Sequence, residues 1–301
     1  MSNETKRDFL TLLDFSAEEL QHITQRASVL KAETLTQRQR PLSGKTAVLI
    51  FQLASTRTRV AFDTGMSQLG GHTVVLSPAD SHLGRGEPVE DTARVLAEMV
   101  DVVVIRTPEH AVLERFAAAA SIPVINAMTT RFHPCQLLAD VQTFEEARGS
   151  IAGRTVAFVG DGYNMCHSYI NAARQWGFHL KIACPEGYTP DPQLLASTNN
   201  AELVETAREA VEQADLVVTD VWSSMGHEGE EHKRLEAFKP FQVNEELLAH
   251  ASDEALFMHC LPAHRGEEVS ATLLDDPRSA VFAEAGNRLH SQKALLEFIL
   301  G

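Results

Sequence analysis

Between Ser55 and Arg59 the chain reads STRTR, three hydroxyl residues and two arginines in five consecutive positions, within a stretch, QLASTRTRVAF from Gln52 to Phe62, that directly follows the apolar run KTAVLIF. That run, Lys45 to Phe51, reads as a buried strand, so the cluster falls where a strand gives way to a helix. The first N–H groups of a helix have no intrahelical partner, and the helix dipole adds partial positive charge at the same end. Hydroxyls and a guanidinium beside those amides suit an anion, and a phosphate group best of all, because arginine grips two of its oxygens at once. Successive helix positions lie about 100° apart, so Arg57 and Arg59 point about 200° apart and cannot both face one ligand. One of them is expected to be structural. Ser55 or Thr56 serving only as an N-cap, with both arginines solvated, is the competing reading, and position alone leaves both open.

Further clusters stand at or after apolar runs. Arg106 ends VVVIRT, beside the first turn. FHPCQ supplies His133 and Gln136, three apart and so on one face of the helix that begins there; singly, they also suit a packing histidine and a surface amide. DGYN carries Asn164, equally a turn former. DVWSSMG places Asp220 at a strand end, followed by Ser224, Met225 and Gly226 in a loop. MHCLPAHRGEE puts Cys260 and Leu261 after another strand, where Cys260 could instead be a small buried hydrophobe. GNRLH gives Arg288 at an expected helix start, an unfavourable place for a cation unless it has a partner.

Three other patterns do not hold up. GDGYNM has Met165 at the third glycine position of a dinucleotide fingerprint, although Glu186 follows Gly160 by 26 residues. SGKT at 43 to 46 precedes a strand where a P-loop would follow one, and Gln39 replaces its first glycine. HEGEEH spaces His227 and His232 five apart, whereas two histidines sharing a helix face as zinc ligands need four.

The elements that must position these residues alternate. Strands are expected at Ala47 to Phe51, Thr73 to Leu76, Val102 to Ile105 and Val124 to Ile125, with helices near 57 to 69, 89 to 100, 109 to 120 and 133 to 147. Ser16 and Glu19 have capping-box spacing before a helical run to Leu30. The alternation then repeats, with strands at Val156 to Val159, Leu180 to Ala183, Leu216 to Thr219, Leu256 to Met258 and Val281 to Phe282. Such alternation implies right-handed βαβ units, hence an α/β protein of two doubly wound parallel sheets linked by helices. The expected domains are 1–148 and 149–285, with a C-terminal helix at 286–301 packing back on the first. In open α/β sheets, ligands sit beyond the C-terminal strand ends, which is where nearly every cluster falls.

A formal charge of −15 over 301 residues argues against nonspecific binding to nucleic acid or to an anionic membrane surface. The N-terminus lacks an apolar signal region and no segment approaches 18 uninterrupted apolar residues, so a soluble, cytoplasmic protein is expected. The four cysteines, 135, 166, 184 and 260, form no CxxC pair, and reduced thiols are expected.

Taken together, STRTR, LGRGE with DTARVL, IRT, HPCQ, DGYN followed by HS, DVWSSMG, FQVN, HCLPAHRGEEV and NRLHSQKA resemble the ornithine branch of the aspartate/ornithine carbamoyltransferase family, over essentially the whole chain. The resemblance implies a carbamoyl-phosphate domain, an L-ornithine domain, and a homotrimer with active sites near subunit boundaries, making citrulline for arginine biosynthesis. It implies that Ser55, Thr56, Arg57, Thr58, Arg106, His133, Pro134, Cys135, Gln136, Cys260, Leu261 and Arg288 meet carbamoyl phosphate. Asn164, Asp220, Ser224 and Met225 would hold ornithine, and Arg106, His133 and Cys260 would be catalytic, with no metal or organic cofactor. Arg57 would face the phosphate and Arg59 would be the structural one. Two departures stand out: His82 replaces a glutamine that the family sends to a neighbouring subunit, and Gln52–Leu53 replace a Glu-Lys pair. An NAD-dependent oxidoreductase using GDGYN, and a small-ligand binding protein on the same architecture, are the alternatives.

Overall fold

The computed structural model describes residues 6–34, 36–37, 39–77, 86–223 and 231–301. The chain divides into two compact units, one of residues up to Ala139 together with Asn287–Gly301, the other Asp140–Gly286.

In the first unit the elements run α1 (Ala17–Ala32), β1 (Thr46–Phe51), α2 (Thr56–Gln68), β2 (His72–Leu76), α3 (Val89–Ala97), β3 (Val102–Arg106), α4 (His110–Ala119) and β4 (Val124–Met128). Ser16 and Glu19 do form the capping box at α1: the Ser16 hydroxyl accepts from Glu19 N–H at 3.2 Å, and Glu19 Oε2 accepts from Ser16 N–H at 2.8 Å. The strands form one wholly parallel sheet in the order β2-β1-β3-β4. All five residues of β3 are buried, and Val48, Ile50, Val103 and Ile105 pack with Leu113 and Phe116 of α4. A strand covered on both faces has no polar side, which is why these strands read as continuous apolar runs.

α5 (Pro134–Arg148) spans the division at Ala139. The second unit continues β5 (Thr155–Val159), α6 (Asn164–Trp176), β6 (His179–Ala183), α7 (Pro192–Leu195), β7 (Ala201–Val204), α8 (Ala207–Val211), β8 (Leu216–Thr219), α9 (Glu231–Phe238), α10 (Glu245–Leu248) and β9 (Leu256–His259). Its sheet is also parallel, in the order β7-β6-β5-β8-β9. The last helix, α11 (Val281–Leu300), spans the second division.

Two expectations fail here. Val281–Phe282 is not a strand but the start of α11, with Val281 buried and Phe282 64 % exposed, as the two sides of an amphipathic helix require. α11 therefore starts at 281 and runs through Gly286, so Arg288 lies seven residues into the helix and not at its start. No strand was expected at β7. It is an edge strand whose four residues are all partly or fully exposed, so its sequence, AELV, lacks an apolar signature.

Candidate active site

In each sheet the strand order reverses at one point, between β1 and β3 in the first and between β5 and β8 in the second. Crossover connections leave in opposite directions there and open a crevice beyond the strand ends. At the first crevice, Phe51 is in register with Arg106 and the Gln52 N–H bonds to the Arg106 carbonyl at 2.9 Å. Ser55 occupies the N-cap position of α2, yet its side chain makes no capping bond. Its hydroxyl accepts instead from Arg106 Nη1 at 3.3 Å, which leaves the first-turn amides uncapped by side chains. On the same turn, buried Thr58 accepts from Arg288 Nη2 at 3.0 Å. Arg288 is 2 % exposed, and its Nη1 donates to Gln136 Oε1. With its amide oxygen turned to the guanidinium, Gln292 accepts from Arg288 Nε and Nη2, each at 2.8 Å. His133 precedes α5 and is buried. Desolvation holds its pKa well below the ordinary value, with Arg288, Arg106 and Arg57 adding to the shift. His133 is therefore a neutral imidazole, able to donate one N–H inside a cationic pocket. Cys135 points into the core: its Sγ donates to the Asn126 carbonyl at 3.3 Å, and burial pushes the thiol up to about 12.

At the second crevice, the Thr219 hydroxyl bonds to the Val159 carbonyl at 2.6 Å, tying β8 to β5. Asn164 is buried at the head of α6, and its carbonyl accepts from Ser168 Oγ at 2.7 Å. Asp220 Oδ1 accepts from Val221 N–H at 2.8 Å and from the Cys260 thiol at 3.2 Å, while Oδ2 makes no hydrogen bond among the described residues. Burial raises the Asp220 pKa, and burial with the Asp220 charge raises Cys260 well above the usual thiol range. Cys260 is thus a thiol donor and not a thiolate nucleophile. The turn after Cys260 is held from beneath. Buried His259 accepts the Leu261 N–H on Nδ1 at 2.9 Å, its Nε2 lies 3.2 Å from Glu268 Oε1, and its own N–H bonds to Glu284 at 3.0 Å. This grip keeps Leu261 at φ 53°, a left-handed conformation that costs a branched side chain. Asp161, in the turn leading to Asn164, pairs with buried Arg234 of α9. Arg234 also donates to the Trp222 carbonyl and lies over the Tyr188 and Phe238 rings at 4.7 and 5.1 Å. Burial pushes Asp161 up to about 7, against the pull of that guanidinium.

Comparison with known proteins gives these two crevices a context. Residues 7–146 match the aspartate/ornithine carbamoyltransferase carbamoyl-P binding domain, and residues 152–299 match the Asp/Orn binding domain of the same family. The chain belongs to the aspartate/ornithine carbamoyltransferase family. An ornithine carbamoyltransferase of Chromohalobacter salexigens is 58 % identical over 297 residues, 98 % of this chain and 97 % of that protein. The solved ornithine carbamoyltransferase of Pyrococcus furiosus is 44 % identical, with a TM-score of 0.94 over 99 % of this chain and 98 % of that one. The anabolic ornithine carbamoyltransferase of Campylobacter jejuni is 40 % identical, with a TM-score of 0.91 over 97 % and 98 %.

In this carbamoyltransferase the first unit gathers Ser55, Thr56, Arg57, Thr58, Arg106, His133, Gln136 and Arg288 about the start of α2, with Pro134 opening α5. The second unit gathers Asn164, Asp220, Cys260 and Leu261 at its strand ends. Ser224, Met225, His82 and His227 lie outside the described residues. Arg59 is exposed and makes no hydrogen bond or ion pair among the described residues. Gly162 of GDGYNM has a packing reason: a Cβ there would stand 2.3 to 2.6 Å from backbone atoms of Tyr188, Thr189 and Pro190. The sequence reading passed over Gln292, His259, Glu268 and Arg234. Gln292 was open to discovery, because it follows Arg288 by one helical turn. Among the described residues, metal-ligating atoms come within 4.8 Å of one another in Asp220–His259–Cys260 and in His264–Glu267–Glu268. In the first group both His259 ring nitrogens, the Cys260 thiol and Asp220 Oδ1 are already engaged in the hydrogen bonds above.

Proposed function

We propose that the chain transfers the carbamoyl group of carbamoyl phosphate to the δ-amine of L-ornithine, giving L-citrulline and phosphate. One observation carries this reading: a neutral buried histidine stands among three guanidiniums at the uncapped start of α2. Three cations suit the phosphate dianion, and the uncapped amides add donors that need no reorganisation. Arg57 and Arg288 take the phosphate, while Thr58, Arg106 and the neutral His133 donate to the carbamoyl oxygen. In the second unit the open Asp220 Oδ2 suits the α-ammonium of an amino acid, with Asn164, Ser224 and Met225 on its carboxylate side. Cys260 and Leu261 border the reacting amine.

The neutral δ-amine attacks the carbamoyl carbon and negative charge collects on the carbonyl oxygen. The C–O bond to phosphate then breaks, and phosphate leaves with the proton lost by the amine. Each donor to that oxygen is worth roughly 10² to 10³ in rate. A free alkylammonium has a pKa of about 10.4, so the cationic surroundings serve a second purpose in favouring the uncharged amine. No step calls for a metal or an organic cofactor.

A homotrimer, a cytoplasmic setting and a role in arginine biosynthesis complete the proposal. Supporting them are the family, the anabolic Campylobacter jejuni relative, and the lack, among the described residues, of any helix long and apolar enough to cross a membrane. The test is citrulline formation with ornithine, putrescine or N-acetylornithine as acceptor. A site whose polar groups are left unpaired rejects an analogue by about 10⁴, so ornithine should far outrun putrescine. Equal kcat/KM for the two would refute the acceptor assignment. Light scattering of the purified protein tests the trimer, and rescue of an arginine auxotroph tests the physiological direction.

A further inference from the structure

His110 begins α4, is 9 % exposed, and belongs to none of the clusters above. Its Nδ1 lies 3.0 Å from the hydroxyl of Thr129, the residue that shapes the turn leading into His133. Thr129 Oγ1 accepts the backbone N–H groups of Arg131 and Phe132, each at 3.2 Å, and the Thr129 N–H bonds to the Phe132 carbonyl at 2.9 Å. A hydroxyl has two lone pairs and one proton. With both lone pairs engaged by N–H groups, Thr129 has its proton to give; the Phe132 carbonyl lies 3.4 Å from Oγ1 and His110 Nδ1 only 3.0 Å, so the shorter contact makes Nδ1 the acceptor. His110 is then the neutral Nε2–H tautomer, and Nε2 faces Glu114 Oε1 at 3.7 Å. Its surroundings agree: burial lowers its pKa, Glu114 opposes that shift, and the Arg131 charge adds to it. The Phe132 ring closes the other side at 5.2 Å and 77°. Thr130 donates to the Pro108 carbonyl through both N–H, at 3.0 Å, and Oγ1, at 2.7 Å, joining the turn before α4 to the turn before α5.

We propose that His110 is a positioning residue of the carbamoyl-phosphate half-site: by accepting the Thr129 hydroxyl proton it holds the 129–132 turn, and so sets where His133 and Gln136 stand. It touches no ligand. The inference rests on the functional reading above, in which those two residues meet the donor substrate. The competing explanation is that His110 is only a flat ring packed on Phe132, and His110→Phe separates the two because it keeps the ring and removes the acceptor.

The experiment compares the wild type with His110→Phe, Thr129→Val, Thr129→Ser and the His110→Phe/Thr129→Val double variant. Amide hydrogen exchange over residues 130–137 is measured alongside KM for each substrate. His110→Phe should speed exchange in that segment alone and raise KM for carbamoyl phosphate about fivefold, the loss of one ordinary hydrogen bond, with KM for ornithine unchanged. Thr129→Ser, which keeps the hydroxyl, should match the wild type. The double variant should be no worse than Thr129→Val, because both changes break the same link. Unaltered exchange in His110→Phe would overturn the proposal, as would a rise in both KM values together with a general loss of stability. Should the wild type make no citrulline, the functional reading fails by itself, and exchange in the 130–137 segment still decides the part played by His110. Should His110→Phe not fold, Thr129→Val against Thr129→Ser carries the decision.

Discussion

Removing the charge of Arg57 or of Arg59 tests the donor half-site at its most exposed assumption. The two arginines are two residues apart on α2, and helix spacing alone does not say which of them faces the ligand, whereas the structure distinguishes their surroundings. Arg57 is half-buried and close enough to His133 to help lower its pKa, whereas Arg59 is exposed without a partner among the described residues. A charge-assisted hydrogen bond is worth about 1.5 to 3 kcal/mol, and each 1.36 kcal/mol is tenfold, so Arg57→Met should raise KM for carbamoyl phosphate about 10- to 150-fold. Arg59→Met should stay within about 0.5 kcal/mol in both stability and binding, the usual range for a surface substitution. The assay is initial-rate citrulline formation at saturating ornithine, with thermal melts to show that both variants fold. A second readout follows from the sign of the field: losing the Arg57 cation relaxes the depression of His133, so the acid-side inflection of kcat/KM should move to higher pH. Burial and Arg288 depress His133 more strongly, so the move should be smaller than the one Arg288→Met produces. An Arg59→Met variant as defective as Arg57→Met would refute the assignment of helix faces.

Other outcomes follow from the second unit. Arg234→Met strips the cation from a carboxylate that is 8 % exposed, which should cost about 3 to 5 kcal/mol in denaturant melts at pH 8. Because Asp161 has a folded pKa of about 7, above its unfolded value, the native state takes up a proton as pH falls. The loss should therefore be smaller at pH 5 than at pH 8. Gly162→Ala drives a methyl into backbone at 2.3 to 2.6 Å, so the loop at 188–190 must move; the melting temperature should fall and KM for ornithine should rise. Asp220→Asn keeps the shape but loses the charge. Its KM for ornithine should rise about tenfold or more while KM for carbamoyl phosphate holds, as separate titrations of the two substrates would show.

Local signals carried most of the fold. Runs such as TAVLIF and VVVIR are apolar because their strands are buried on both faces, and reactive residues cluster at their ends because parallel strands all open toward one edge. What stayed hidden depends on pairing across distance. Two of the partners of Arg288 are Thr58 and Gln136, 230 and 152 positions earlier, so the sequence could show that the cation needed something but could not name these two. Val281–Phe282 resembled a strand because two apolar residues have no period, and only their opposite exposures reveal a helix. His259 and Glu268 look like ordinary polar residues until the fold buries both and points one at the other.

The placement of Arg288 sets the order in which this protein can be born. The first unit contains the beginning and the very end of the chain, while the second is a single uninterrupted stretch, Asp140–Gly286. On a ribosome the residues of the second crevice all emerge before the guanidinium that Thr58 and Gln136 await. Leu295 and Leu296, buried in the closing helix, emerge later still. The early half of the first unit must therefore wait, incomplete, through the synthesis of everything between. A chain that has emerged only as far as Gly286 holds all of the second unit but lacks Arg288, so the grip on Thr58 and Gln136 can form only after the second unit is complete.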